Sequence, residues 1–181
     1  MNSISATLLD KASKVRLLIM DVDGVLTDGR LHFSSKGDEI KVFSSVDGLG
    51  LVAIQRFGVE LAVITGRNSQ VLKTRADQLG IKHVYQGEDN KVIAYQQLLN
   101  QLQLEHQQVA YIGNDWNDLG VLSLVGLAAS PADAETEVLS RVHWSSTRLG
   151  GAGAVRELCQ LIMQAQGSYQ NWLAECLNGN A

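Results

Sequence analysis

Short apolar runs recur along the chain at 15–20, 59–64, 109–112 and, more weakly, 83–85 and 127–129. They are apolar at consecutive positions, the pattern of strands covered on both faces, as in a parallel sheet. Between them, 48–57, 69–79, 91–102 and 118–125 carry apolar residues at intervals of three and four, which predicts amphipathic helices. Strands alternating with helices at this rhythm give an α/β fold, a Rossmann-like doubly wound parallel sheet. In such sheets ligands bind outside the carboxyl ends of the strands, so the residues just after each run are where chemistry is expected. One segment breaks the alternation. Within 30–43, LHF and IKV each alternate in period two around Ser34-Ser35-Lys36-Gly37-Asp38, which predicts a β-hairpin insert with Leu31 and Phe33 on one side able to pair with Ile40 and Val42. A closing helix is expected over 153–165, behind the turn Leu149-Gly150-Gly151-Ala152-Gly153. The polar tail 167–181 is expected to be mobile unless docked.

With 181 residues, 45% hydrophobic and 19% charged, and a single proline, the chain is long enough for one core that removes roughly 70% of the unfolded surface from water. One domain over 1–181 is expected. A net charge of −4 argues against a nucleic-acid partner. The longest weakly polar stretch, 119–129, is too short to span a bilayer, and the first residues lack a leader pattern, so no membrane partner and a cytoplasmic location are expected. Cys159 and Cys176 form neither a CxxC pair nor a disulfide framework.

Four strand ends carry reactive groups. After the first run comes Asp21-Val22-Asp23-Gly24, whose carboxylates at i and i+2 would point to the same side of an extended chain. Two such groups repel unless a proton or a hard cation such as Mg²⁺ lies between them; the alternative is a solvated Asp-Gly turn. After the second come Thr65-Gly66-Arg67, a hydroxyl, an amide and a cation suited to phosphate, with a Thr helix cap as the alternative. Lys91 opens a predicted helix, where the helix dipole disfavours a cation, so a functional reason competes with a solvent-facing one. After the 109–112 run, Gly113-Asn114-Asp115-Trp116-Asn117-Asp118 offers several oxygen ligands or a helix cap.

The order DVDGVLTDG, ITGR, Lys91, GNDWND resembles the four motifs of the haloacid dehalogenase-like phosphatases, over nearly the whole chain. The segments 21–29, Asp47-Gly48-Leu49-Gly50, Leu79-Gly80-Ile81, Tyr85-Gln86-Gly87 and the ending GGAGAVRE narrow the resemblance to the 3-deoxy-D-manno-octulosonate 8-phosphate phosphatases, with the acylneuraminate 9-phosphate phosphatases as close cousins. The resemblance implies a fold with no cap domain, a Mg²⁺ cofactor, a sugar-phosphate substrate from lipopolysaccharide synthesis and a homotetramer. It makes Asp21 the nucleophile, Asp23 the general acid and base, and Thr65 and Lys91 the ligands of the non-bridging phosphate oxygens. The metal would be held by Asp21 and Asp23 with Asn114, or alternatively Asp115, where the family commonly has Asp after the glycine; Asp118 stands behind them. Substrate contacts are expected from Asp23, Asp47, the Gly48 backbone, Arg67, Arg75 and Lys91. Val46, Val52 and Ala152 stand where the family often carries polar or cationic residues, which predicts weaker discrimination among sugar phosphates. A phospho-ligand-binding relative without turnover remains the alternative outside enzymes.

Overall fold

The structure, a computed structural model, describes residues 4–179. Its strands are β1 (Leu17–Met20), β2 (His32–Phe33), β3 (Glu39–Ile40), β4 (Glu60–Ile64), β5 (His83–Tyr85), β6 (Val109–Ile112), β7 (Leu127–Ser130) and β8 (Trp144–Ser145). The helices are α1 (Ala6–Ser13), α2 (Ser45–Arg56), α3 (Gln70–Leu79), α4 (Lys91–Leu102), α5 (Leu119–Leu122), α6 (Thr136–Leu139), α7 (Ala154–Ala165) and α8 (Tyr169–Leu177). Six strands form one parallel sheet in the order β5-β4-β1-β6-β7-β8, while β2 and β3 pair separately and antiparallel. The chain fills the sheet to one side of β1 and then returns to fill the other. The switch therefore falls at β1, whose carboxyl end carries Asp21.

Alternation within the strands builds two cores. Leu18 and Met20, Val63, Ile112 and Ala129 turn toward α1, α2, α3 and α7. Leu17 and Ile19, Ile64, Tyr111 and Ala128 turn toward α4, α5 and α6. Successive strand residues point to opposite faces, so an all-apolar run is buried only when both faces are covered. Helix starts follow side-chain caps: Ser44 accepts from the Asp47 amide at 3.2 Å, Ser69 from Leu72 at 3.1 Å and Asn90 from Val92 at 3.1 Å. The Ser44 cap starts α2 three residues before the predicted Gly48. Gly80, at φ +68°, ends α3 in the left-handed conformation that only glycine adopts freely.

Several features differ from expectation. α1, α6 and β8 are short elements that the apolar pattern does not predict. The predicted 118–125 helix is only the one-turn α5, behind a 3₁₀ turn at Trp116–Asp118. The tail is not free within the described residues: α8 docks through Trp172, 2% exposed, and Arg56 on α2 both overlies its ring at 5.8 Å and pairs with Glu175 at 2.6 Å. The last two residues of the expected tail lie outside the described ones. The hairpin forms, but its register sets His32 opposite Ile40 and Phe33 opposite Glu39. Phe33 thus shares a face with Glu39, and the expected apolar pairing of Leu31 and Phe33 with Ile40 and Val42 is not made. A shift of one residue moves every side chain to the other face, and here a turn bonded between Ser34 and Asp38 sets the register.

Candidate active site

The loop leaving β1 bends immediately. The Val22 carbonyl accepts from the amides of Val25, Leu26 and Thr27, so Asp23 sits in a turn and strand alternation is not what aims it. The Thr27 hydroxyl accepts from Gly24 and Gly29 at 3.4 and 3.3 Å and donates to the Val22 carbonyl at 3.3 Å, cross-bracing the loop. The glycine turn before α7 packs directly on this loop, with the Gly151 amide donating to Val25 at 2.9 Å. A Cβ at Gly150 would lie 1.9 Å from the Gly24 carbonyl oxygen, so no other residue fits there without moving the loop.

Asp21 is 5% exposed and accepts from the Lys91 ammonium at 2.7 Å. Lys91, the first residue of α4, also donates to Asp118 at 2.7 Å. Asp118 is fully buried and accepts further from the Tyr111 hydroxyl at 2.6 Å and from the amides of Asn114 and Asp115 at 2.8 and 3.2 Å. Burial, reinforced by the Asp118 charge, pushes the Asp21 carboxyl up to about 7 against the pull of Lys91. Burial alone would lower Lys91; Asp21 and Asp118 together outweigh it and raise its pKa, so the ammonium stays charged. Tyr111 has no signal in the sequence, because a Tyr in a strand reads as core.

Asp23 belongs to a second cluster. Its carboxylate pairs with Lys41 from the hairpin and, at 3.7 Å, with Arg67 behind β4. Both cations also reach Glu39, at 3.3 and 3.8 Å. Lys41 and Glu39 escape attention in the sequence, although the period-two alternation of EIKV puts them on one face of the hairpin, opposite Ile40 and Val42. Thr65 is buried at the end of β4 and accepts from the Arg67 amide at 3.4 Å; the cap of α3 is Ser69, so the capping alternative for Thr65 does not hold.

Three of the expected substrate contacts are engaged within the fold. Asp47 is buried, and its two oxygens accept from the amides of Gly153 and Arg156 at 3.1 and 2.8 Å, capping α7. Gly48 lies under the Arg75 guanidinium, where a Cβ would stand 2.4 Å from Nη2. Arg75 in turn donates to Gln78 at 3.3 Å and lines, with Asp47 and Gly48, a narrow crevice between α2 and α3. Of the three, Asp47 ties α2 to the start of α7, while Gly48 allows the close approach of Arg75 on α3.

The residues present fit a hard divalent cation. The Asn114 side-chain oxygen is buried and accepts no hydrogen bond, the condition of an oxygen reserved for a ligand. Its amide is held against Gly24, where a Cβ would come within 2.3 Å of Nδ2. Asp115, the alternative, is exposed and spends its Oδ1 on the Trp116 amide at 2.7 Å. Among the described residues no three His, Cys, Asp or Glu side chains converge as a metal site, so the available set is mixed: carboxylates and an amide, all oxygen donors of the kind Mg²⁺ takes.

Residues 64–148 match a family model described as haloacid dehalogenase-like hydrolase. The chain is 43% identical over 163 residues to a 3-deoxy-D-manno-octulosonate 8-phosphate phosphatase from Yersinia pestis, covering 90% of this chain and 87% of the relative. The crystal structure of the Yersinia pestis enzyme superposes with a TM-score of 0.91 at 42% identity, covering 92% of this chain and 90% of that one. The same phosphatase from Moraxella catarrhalis, in complex with a magnesium ion, a phosphate ion and a KDO molecule, superposes with a TM-score of 0.92 at 40% identity, covering 93% and 97%.

Proposed function

The chain belongs to the 3-deoxy-D-manno-octulosonate 8-phosphate phosphatases among the haloacid dehalogenase-like hydrolases, and from that premise we propose that it hydrolyses the phosphate monoester of 3-deoxy-D-manno-octulosonate 8-phosphate to the free sugar acid and phosphate, with Mg²⁺ as cofactor, in lipopolysaccharide biosynthesis. The observation that carries this reading is the buried Asp21–Lys91–Asp118 relay at the carboxyl end of the central strand. Asp21 attacks phosphorus in line and becomes an aspartyl phosphate, while Asp23 gives a proton to the departing sugar oxygen and later takes one from the attacking water. Lys91 and the Thr65 hydroxyl bind the non-bridging oxygens, and Asp118 keeps Lys91 aimed. Asp21, Asp23 and Asn114 are the residues that would hold Mg²⁺. When bound, the cation supplies positive charge against the carboxylates and the phosphoryl oxygens. Arg67, half-exposed beside Asp23, is the cation available to the sugar acid. Between β1 and β4 there is only the hairpin and α2, too little for a cap domain with its own core, so residues 1–181 act as one domain with an open site.

The test is phosphate release from this sugar phosphate, from acylneuraminate 9-phosphate and from an aryl phosphate, with and without Mg²⁺. The octulosonate phosphate should lead and chelator should silence release. A tenfold lead in kcat/KM for the acylneuraminate would change the substrate, and no release from any of the three would leave a phospho-ligand-binding protein.

Asn114 offers a cleaner view of the metal. Asn114→Asp adds a negative hard ligand at the unpartnered position and should tighten Mg²⁺ binding, read by calorimetry on the protein without substrate. An unchanged titration would move the ligand elsewhere.

The assembly is proposed as a cytoplasmic homotetramer. Leu31, Phe33, Ile40 and Val42 on the hairpin, with Val46, Leu49 and Val52 on α2, are all exposed in one chain. A two-stranded hairpin is marginal alone and gains from docking on another copy. No helix among the described residues is long and apolar enough to cross a membrane. Light scattering at micromolar concentration should give four chains; a stable monomer would remove the proposal.

A further inference from the structure

A lysine on a two-stranded hairpin ordinarily extends into water, yet the Lys41 side chain is 3% exposed. It pairs with Asp23 and stands 3.3 Å from Glu39. Arg67 reaches the same two carboxylates, and the Ser69 hydroxyl donates to the other oxygen of Glu39 at 2.5 Å. The four charges sum to zero, which is what allows an ammonium to be buried there. The turn does not need this arrangement to form, because Ser34 closes it through its own amide and hydroxyl to Asp38, at 2.9 and 2.8 Å. The inward charges of the hairpin are therefore directed at Asp23.

We infer that Lys41 is a positioning residue for the reaction: the hairpin delivers it to hold the Asp23 carboxyl where the departing oxygen will be, and Glu39, anchored by Ser69, fixes Lys41. This rests on the phosphatase reading above. In the first half-reaction an Asp21 oxygen forms a bond to phosphorus as the bond from phosphorus to the sugar oxygen breaks. The electron pair leaves on that oxygen, which takes the proton from Asp23. A sugar alkoxide is a poor leaving group and needs the proton; a nitrophenolate departs without it. Misplacing Asp23 must therefore slow one substrate far more than the other, whereas general damage to the fold slows both.

The experiment is rapid-quench measurement of the first-turnover release of sugar and of nitrophenol, together with steady-state KM, for the wild type and for Lys41→Met, Lys41→Arg and Glu39→Gln. Lys41→Met should slow sugar release by about 30-fold or more and nitrophenol release by less than about threefold, with KM little changed. Lys41→Arg, which keeps the charge and the donors, should recover part of the sugar rate, and Glu39→Gln should fall between. Equal losses on both substrates would make Lys41 merely structural, and a raised KM at constant kcat would make it a substrate ligand. Either result, or no change, overturns the inference. If the wild type releases neither product, it is the phosphatase reading that fails.

Discussion

Asp21→Asn is expected to lower turnover by at least about 10³-fold while leaving the fold intact. The substitution keeps the size of the side chain and removes the oxygen that becomes phosphorylated, and no neighbouring carboxylate can replace it. Asp118 has its Oδ1 committed to Lys91 and Tyr111 and its Oδ2 to two backbone amides, and Asp23 is held by Lys41 and Arg67. Stability should move the other way. Burial first, and the Asp118 charge second, raise the Asp21 carboxyl to about 7. The folded protein therefore holds a proton that the unfolded chain has already released, and stability falls as pH rises from the ordinary carboxylate range toward 7. A neutral Asn escapes that loss. Metal-free Asp21→Asn should melt at or above the wild type at pH 8, and the advantage should shrink as pH falls toward 5. Substantial residual turnover would refute the covalent mechanism, and a lower melting point at pH 8 would refute the electrostatic account.

Asp118→Ala should be the most damaging change to the fold of the site. Four donors converge on this buried carboxylate: the Lys91 ammonium, the Tyr111 hydroxyl and the amides of Asn114 and Asp115. Lys91 keeps Asp21 as a partner, but the Tyr111 hydroxyl and the two amides lose their acceptor, and an unpaired buried donor costs about 1–3 kcal/mol, several kcal/mol together. For a chain of this length that corresponds to a melting point lower by on the order of 10 °C. Turnover should collapse as well, since Lys91 loses one of its two anchors and the Asn114 loop loses its support. Differential scanning calorimetry and the phosphate-release assay read the two effects separately. Tyr111→Phe removes a single hydrogen bond and should cost only about 1 kcal/mol. If Asp118→Ala melts like the wild type, the carboxylate is not the hub the geometry makes it.

Much of this architecture was legible along the chain. The runs at 59–64 and 109–112 read as strands because a parallel sheet buried on both faces needs largely apolar residues, and 69–79 and 91–102 read as helices because their apolar residues recur at intervals of three and four. Asp21, Thr65, Lys91 and Asn114 could be singled out because each follows a strand or opens a helix, and in this fold such positions share one edge. These signals act within a few residues, so the sequence states them directly.

What the sequence did not state depends on segments that meet only after folding. Asp47 reads as a ligand in a polar motif, yet it caps a helix that begins more than a hundred residues later, through bonds to Gly153 and Arg156. Gly150 reads as a flexible turn, and its reason is the carbonyl of Gly24 lying against it. Lys41 and Glu39 draw no attention along the chain, and it is the folded hairpin that turns them inward onto Asp23. α8 reads as a polar tail, and the slot beside Arg56 that buries Trp172 exists only once α2 and α7 have packed. The sequence by itself determined the elements, their alternation and the residue types at the strand ends, because periodicity and capping are local. The tertiary structure alone decided which carboxylates face the reaction and which hold helices together, because a side chain's partners are set by the distances between elements, and no residue spacing encodes those.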